Sequence, residues 1–423
     1  MLQISVIRQQ PDHVRERLAH KHFKETPLVD RLLELDESLR KMKVESETLQ
    51  ATINSASREI GTLLSKGEIE KAGALRAEIA NHKSTAQSLG EKLSAAEAEL
   101  NNELLRLPNL PHASVPVGSS PADNVVVRSG GHTPTLAEGA LPHWELIKKY
   151  DLVDFETGSK ITGSGFPLFK GRGAKLQRAL IQYFLDYNTA AGYTEYLPPL
   201  LVNEATAYGT GQLPDKEGQM YHATADNFYL IPTAEVPVTN IYRDEILKES
   251  DLPVKMTAYT PCFRREAGSF GSDVRGLNRV HQFDKVEIIQ LVNPDESYAV
   301  LEQMVQHVEQ LLKSLELPYR MLKLCGGDMS FTSALTYDFE VFSAAQQKWL
   351  EVSSVSNFES FQTHRMKIRY KNSAGKTQLL HSLNGSSLAL PRILAALLEN
   401  NQQVDRIVLP AALHPYFGNA AID

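Results

Sequence analysis

Cysteine is scarce in this chain: two in 423 residues, Cys262 and Cys325. Two cysteines at that separation cannot build a disulfide framework or a Cys-based zinc site, and they read as reduced thiols packing like small hydrophobes. Long apolar runs are missing too. Nothing approaches the roughly 20 consecutive apolar residues that a membrane-crossing helix requires, so no membrane partner is expected. The first residues, MLQISVIRQQPDHVRERLAH, lack an apolar signal core and carry Asp12 and Glu16 early. That excludes a secretory signal or an Arg-rich transit peptide in this stretch and makes the cytoplasm the expected location. Neither GxGxxG nor GxxxxGK[ST] occurs, so neither a Rossmann nor a P-loop nucleotide site is indicated. A dominant charge sign is also absent. The formal net charge is -7, from 44 basic and 51 acidic residues. This neither demands nor forbids an RNA partner, because charge can be distributed unevenly over a surface.

Aromatic residues are absent from 27–107, which also holds a single proline, Pro27. What is there is a repeat. Leu32, Leu35, Leu39, Met42, Ser46, Leu49, Ile53, Ala56, Ile60 and Leu63 follow one another at alternating steps of three and four, a heptad seam. Ser65-Lys66-Gly67 is a turn signal. A second seam follows in Leu75, Ile79, His82, Ala86, Leu89, Leu93, Ala96 and Leu100, and Pro108 ends it. Two such helices joined by a short turn run antiparallel. The expectation is a helical hairpin zipped along its own apolar stripe; a dimerising coiled coil, or one strut of a larger bundle, is the alternative. Arg31, Arg40, Lys41, Arg58, Lys71, Arg76 and Lys83 could face RNA or simply be solvated.

Residues 108–135 are rich in Pro, Gly and Ser and read as a linker. The domain expectation is 1–110 for the helical arm, 111–135 for the linker and 136–423 for a second domain. There, LQRALIQYFLDYNTAAG, ESYAVLEQMVQHVEQLLKSL and LALPRILAALLENNQ read as helices. YLIPTAEVPV, KMTAYTPCF, HQFDKVEIIQLV, YDFEVFSAA and WLEVSSVS read as strands. Strands with few βαβ units predict an α+β domain, an antiparallel sheet flanked by helices.

The densest chemistry runs from Phe263-Arg264-Arg265-Glu266-Ala267-Gly268-Ser269 through Asp273, Arg275, Gly276 and Arg279 to Val280-His281-Gln282-Phe283-Asp284-Lys285-Val286-Glu287. Two strand-like stretches flank a Gly/Ser/Asp-rich loop, a long hairpin with four arginines. Arginine presents planar, bidentate donors suited to phosphate and carboxylate oxygens, although salt bridging on a surface explains any single one as well.

FRREAGS…VRGLNRVHQFDKVE resembles the second signature motif of class II aminoacyl-tRNA synthetases, in its seryl form. SLNGSSLALPRILAALLEN resembles the third motif, and GYTEYLPPLLV the first, the dimer-interface motif with Pro198. Thr233-Ala234-Glu235 resembles the TAE serine loop, and Glu351-Val352-Ser353-Ser354 the metal and ATP segment. With the long N-terminal arm, the resemblance covers essentially the whole chain and points to the seryl-tRNA synthetase family. It implies a class II synthetase catalytic domain preceded by an antiparallel coiled-coil arm. The implied activity is that of a serine–tRNA ligase: L-serine is activated with ATP and transferred to tRNA(Ser), with tRNA(Sec) as a second candidate acceptor. By resemblance, Arg264 and Arg392 are the catalytic arginines. Thr233, Ala234, Glu235, Arg264, Glu287 and Ser386 hold serine. Arg264, Arg265, Glu266, Val280, Phe283, Glu351, Val352, Ser353, Ser354 and Arg392 hold ATP. Glu351 and Ser354 hold Mg²⁺, a hard cation that takes oxygen ligands, and no zinc is expected. No protein base is needed, since the attacking serine carboxylate is ionised at neutral pH.

Arg265 stands where the family commonly has a small residue, Val355 where it has cysteine, and His364 where it has arginine. A homodimer is implied by the first motif. The arm argues against a relative that loads a carrier protein. An inactive paralogue serving as an RNA-binding or scaffold protein is the alternative, against which stand the retained Arg264, Glu266, Glu287, Glu351 and Arg392.

Overall fold

The computed structural model describes residues 1–215, 217–266 and 275–423. Of the loop expected between the two strand-like stretches, Ala267, Gly268, Ser269 and Asp273 lie outside the described residues. Contacts divide the chain into two units, Met1–Pro108 and Asn109–Asp423.

The first unit opens with two short helices, α1 (Ile4–Gln9) and α2 (Pro11–His20), followed by α3 (Leu28–Ser65) and α4 (Ile69–Leu104). Helices of 38 and 36 residues run for about 55 Å each at 1.5 Å per residue. In a folded protein most helical stability comes from packing an apolar face, here the seam the two helices share. Every seam residue expected on α3, from Leu32 to Leu63, is buried or half-buried, as is every one expected on α4, from Leu75 to Leu100. The hairpin alternative is the one the chain adopts. Gly67 takes φ +79° at the turn, a conformation that costs a residue with a Cβ. His82 sits half-buried on the seam, 3.5 Å from Glu78. Lys43 reaches Glu97 across the hairpin at 2.7 Å, and Arg31 pairs with Glu99. At the base, α1 and α2 bury Ile7, Val14 and Leu18. There Asp36 accepts both Arg8 (2.9 Å) and Arg40 (3.0 Å).

The second unit is built on an eight-stranded sheet. Its strands are β1 (Val125–Gly130), β2 (Thr194–Glu195), β3 (Val254–Phe263), β4 (Gln282–Val292), β5 (Tyr319–Lys323), β6 (Leu335–Ser343), β7 (Lys348–Asn357) and β8 (His381–Ala389). Their spatial order is β1-β5-β6-β7-β8-β4-β3-β2. All pairings are antiparallel except the last, where the two-residue β2 runs parallel to β3, so the expected antiparallel sheet has one parallel edge. The stretch expected as linker contributes β1, which pairs with β5 and is interrupted by a register shift between Val126 and Arg128. Composition hid it: Val125, Val126 and Val127 sit on an edge, exposed at 42–50%, among prolines and glycines. The stretch YLIPTAEVPV is only in part a strand, Phe228–Leu230. After Pro232 the chain turns into the short helix Glu235–Thr239, because a proline has no N–H to give a ladder.

Side chains alternate across a strand, and β4 shows what that accomplishes. Val286, Ile288 and Val292 face a core shared with α6 (Gly171–Ala190), α7 (Ser297–Ser314) and α8 (Leu390–Asn400), after α5 (His143–Lys149) in chain order. Ile289 and Leu291 face a second apolar cluster with Ala234, Val238 and Met366. Lys285 and Glu287 are on that same side, where the apolar filling stops and a polar cavity begins.

Candidate active site

The cavity measures about 550 Å³ and opens over the middle of the sheet. One end is floored by β4 and β8, which place Glu287 directly opposite Ser386. The Ser386 hydroxyl lies 3.5 Å from Glu287 Oε1, and Thr233 Oγ1 donates to Glu287 Oε2 at 3.1 Å. Lys285 Nζ sits 2.5 Å from the same Oε2, and both side chains are almost wholly buried. Lys285 and Glu287 thus pair along one strand, and both line the cavity. Glu235 is buried beside them, its Oε1 accepting from Gln362 Nε2 at 2.6 Å, while Gln362 Oε1 accepts from Ser382 at 2.7 Å. Burial pushes the Glu235 carboxyl up to about 7; Gln362 and Lys285 oppose that rise and the charge on Glu287 adds to it.

The other end is lined with arginine. Arg264 closes β3, its main-chain N–H bonded to His281 O at 2.9 Å, and its guanidinium carbon lies 5.2 Å from the Phe283 ring centre. Arg264 Nε reaches Pro232 O at 3.4 Å. Glu266 takes φ +49° and pairs with Arg279 at 2.8 Å. Arg392 projects from the first turn of α8; its Nε donates to Asn278 O at 3.0 Å and its Nη1 to Glu351 O at 2.7 Å.

Between the two ends runs β7, with Glu351, Val352, Ser353 and Ser354 on the cavity wall. Ser353 Oγ donates to Ser386 O at 2.6 Å and ties β7 to the first end. Asp338 on β6 pairs with Ser354 in register, and its buried Oδ1 has no hydrogen-bond partner. Burial, then the charge of Glu351, holds the Asp338 carboxyl well above the usual carboxylate range. An oxygen-rich spot with a stranded buried carboxylate oxygen fits a hard divalent cation. Among the described residues no group of three or more His, Cys, Asp or Glu is placed to hold a metal.

Of the residues expected at the site, Thr233, Glu235, Arg264, Glu266, Val280, Phe283, Glu287, Glu351, Val352, Ser353, Ser354, Ser386 and Arg392 come together on this one cavity. Two do not. Ala234 is buried in the neighbouring apolar cluster, and Arg265 is exposed and off the cavity wall. Lys285, Asn384, Asn278 and Asp338 went unassigned. Lys285 could have been found from its spacing, two residues before Glu287 on the same face of a strand.

Models of two families match the chain: the seryl-tRNA synthetase N-terminal domain over residues 1–111, and the tRNA synthetase class II core domain (G, H, P, S and T) over 220–401. A serine–tRNA ligase of Salinibacter ruber is 52% identical over 424 residues, covering 100% of this chain and 99% of the relative. The chain belongs to the seryl-tRNA synthetase family. A second serine–tRNA ligase, from Trichlorobacter lovleyi, is 47% identical over 421 residues, 99% of this chain and 98% of its own. Among solved structures, seryl-tRNA synthetase from Pyrococcus horikoshii complexed with ATP superposes with a TM-score of 0.93 at 32% identity, over 100% of this chain and 99% of that one. Cytoplasmic serine–tRNA ligase from Naegleria fowleri in complex with AMP gives 0.89 at 25% identity, with the same coverage. No described helix is long and apolar enough to cross a membrane.

Proposed function

We propose that the chain is an ATP-dependent serine–tRNA ligase of the cytoplasm, forming seryl-adenylate and pyrophosphate and then transferring serine to the 3′ end of tRNA(Ser). The observation that carries the reading is a single cavity with a buried acid–hydroxyl cluster at one end and arginines at the other.

Activation brings two anions together, the serine carboxylate and the α-phosphate of ATP. Fixed cations on the non-reacting oxygens lower that barrier and need no reorganisation at the moment of reaction. Arg264 bridges the serine carboxylate and the α-phosphate. Arg392 takes the γ-phosphate, Phe283 stacks on adenine, and Glu266 accepts from its amino group. Val280, Val352 and Ser353 complete the wall, and Arg265 acts only through charge from outside. The carboxylate attacks phosphorus and pyrophosphate leaves, so no residue need remove a proton. Glu351 and Ser354 would hold Mg²⁺ with ATP, and bound there it would neutralise phosphate charge.

Glu287 and Ser386 face the serine hydroxyl. Alanine would leave these buried groups unpaired, and a site of that kind rejects an analogue lacking the hydroxyl. Glu235 and Thr233 take the ammonium side. The arm, residues 1–110, binds the tRNA. Arg58, Arg76 and Lys83 are exposed and make no ion pair in the hairpin, whereas Arg31, Arg40, Lys41 and Lys71 are each paired with a carboxylate. Such uncommitted cations are the ones free to meet phosphate, and an RNA read by shape needs backbone contacts of this kind. Leu197 (85% exposed) and Leu201 (49%), in the first-motif segment, support a homodimer.

Amino-acid-dependent ATP–pyrophosphate exchange without tRNA tests this, on protein whose mass is measured by light scattering. Exchange with serine alone, from a pair of 47.1 kDa chains, is expected. Exchange with another amino acid would overturn the roles of Glu287 and Ser386. A single-chain mass would remove the homodimer. No exchange at all would leave the inactive paralogue.

A further inference from the structure

Behind the arginine end lies a group of polar side chains that the reaction as described does not use. His143 on α5 and Glu399 on α8 are both fully buried, with His143 Nδ1 2.8 Å from Glu399 Oε1. The main-chain N–H of Leu277 donates to His143 Nε2 at 2.9 Å, which places the ring's proton on Nδ1, facing the carboxylate. Residue 276 is glycine with φ +65°; a Cβ there would stand 2.3 Å from His143 Nε2, so the backbone comes as close to the ring as it can.

From Glu399 the chain of bonds returns to the cavity. Gln346 Nε2 donates to Glu399 Oε1 at 2.7 Å, and Asn278 Nδ2 donates to Gln346 Oε1 at 2.9 Å. The carbonyl of that same Asn278 accepts from Arg392 Nε at 3.0 Å. Arg392 and Glu399 share α8, so the bonds close into a ring: helix, carboxylate, Gln346, Asn278, guanidinium, helix. Burial alone would raise Glu399, but hydrogen bonds from His143 and Ser343 hold it below the usual carboxylate range. A buried, satisfied network can be there only to stabilise the fold. This one differs because it ends on the acceptor that fixes the guanidinium plane, and with Nη1 held by Glu351 O it leaves the Nη2 edge for a ligand.

We propose that Gln346, Asn278, Glu399 and His143 are positioning residues that hold Arg392 and the 275–281 limb in place to receive the ATP phosphates. The inference rests on the reading of Arg392 as a phosphate ligand. An arginine with its rotamers already restricted loses less entropy when it binds, and a ring of this kind shows up in the affinity for ATP rather than for serine.

The test is a double-mutant cycle in pyrophosphate exchange, with Gln346→Ala and Arg392→Ala singly and together. Gln346→Ala is expected to raise the KM for ATP about tenfold, leaving the KM for serine and the unfolding temperature unchanged. In the Arg392→Ala background it should add nothing. If Gln346→Ala leaves the KM for ATP alone, raises both KM values alike, or adds its full effect without Arg392, the positioning role is overturned. If Arg392→Ala itself does not affect ATP, the phosphate role falls first and the inference with it. Should Gln346→Ala not fold, Asn278→Leu keeps the main-chain carbonyl, cuts the link to Gln346 and is read in the same cycle.

Discussion

The arm and the catalytic unit bury their interiors in opposite ways. In the arm, the residues that meet are recruited by one repeating interval, the seam is apolar, and the charged pairs lie mostly outside it. In the catalytic unit, groups separated by 54 to 256 positions converge, and several are charged: Glu235, Lys285, Glu287 and Glu399 are each exposed at 9% or less. Removing charges from water is costly unless each finds partners. A region that bears that cost at one cavity is organised around what the cavity binds, whereas the arm's regular interior presents a long solvated surface. On the proposed function, the chemistry belongs to the catalytic unit and the grip on tRNA to the arm, a division that can be broken.

The largest effect is expected from Arg264→Ala, which should lower serine-dependent exchange on the order of a thousandfold while tRNA binding to the arm is unchanged. If tRNA affinity, read by filter binding, fell in parallel, the separation of roles would fail. The reverse experiment shortens the hairpin next to Lys66-Gly67 by whole heptads from both helices, keeping the seam in register. Charging of tRNA should drop on the order of a hundredfold with exchange untouched, the loss expected when several phosphate contacts disappear. Equal loss of both activities would contradict the two-module picture.

A smaller effect sharpens the contrast through the buried acid. Glu235 has its carboxyl raised to about 7, so it is protonated below that pH and ionised above it. On the proposed function, the ionised form holds the serine ammonium. The KM for serine should therefore fall about tenfold between pH 6 and pH 8, one pH unit on each side of the titration. Glu235→Gln should raise that KM and flatten its pH dependence. A KM that rises with pH, or a slope that survives the substitution, would remove Glu235 from the ammonium side. The arm's buried carboxylate, Asp36, is instead held between Arg8 and Arg40.

How much could be read from the sequence follows the same division. The seam was legible from Leu32 to Leu100 because its information is local: each buried position announces the next at three or four residues. The principal strands β3, β4, β6 and β7 were legible from apolar runs and alternation. β1 was not, because an edge strand half open to solvent has no apolar pattern to show and sat among linker-like residues. The cavity residues were legible through motif resemblance, which carries long-range proximity that periodicity cannot. Where the motif was silent, so was the reading: nothing in the spacing joins His143 to Glu399, or Gln346 to Asn278, because these pairs exist only after the sheet has closed. Arg265 shows the converse, a motif position that is exposed and off the cavity wall.

The two ends of the sheet bear on how the protein keeps company with itself. A strand with an unpaired side is a template on which another chain can extend the sheet, and three adjacent half-exposed valines on β1 would make it a good one. The register shift between Val126 and Arg128 spoils the template by breaking the row of donors and acceptors mid-strand. At the opposite end β2 is two residues long and offers little to grow on. Both edges of the sheet, one by an irregular ladder and the other by its shortness, thus offer a second copy of the chain little to pair with.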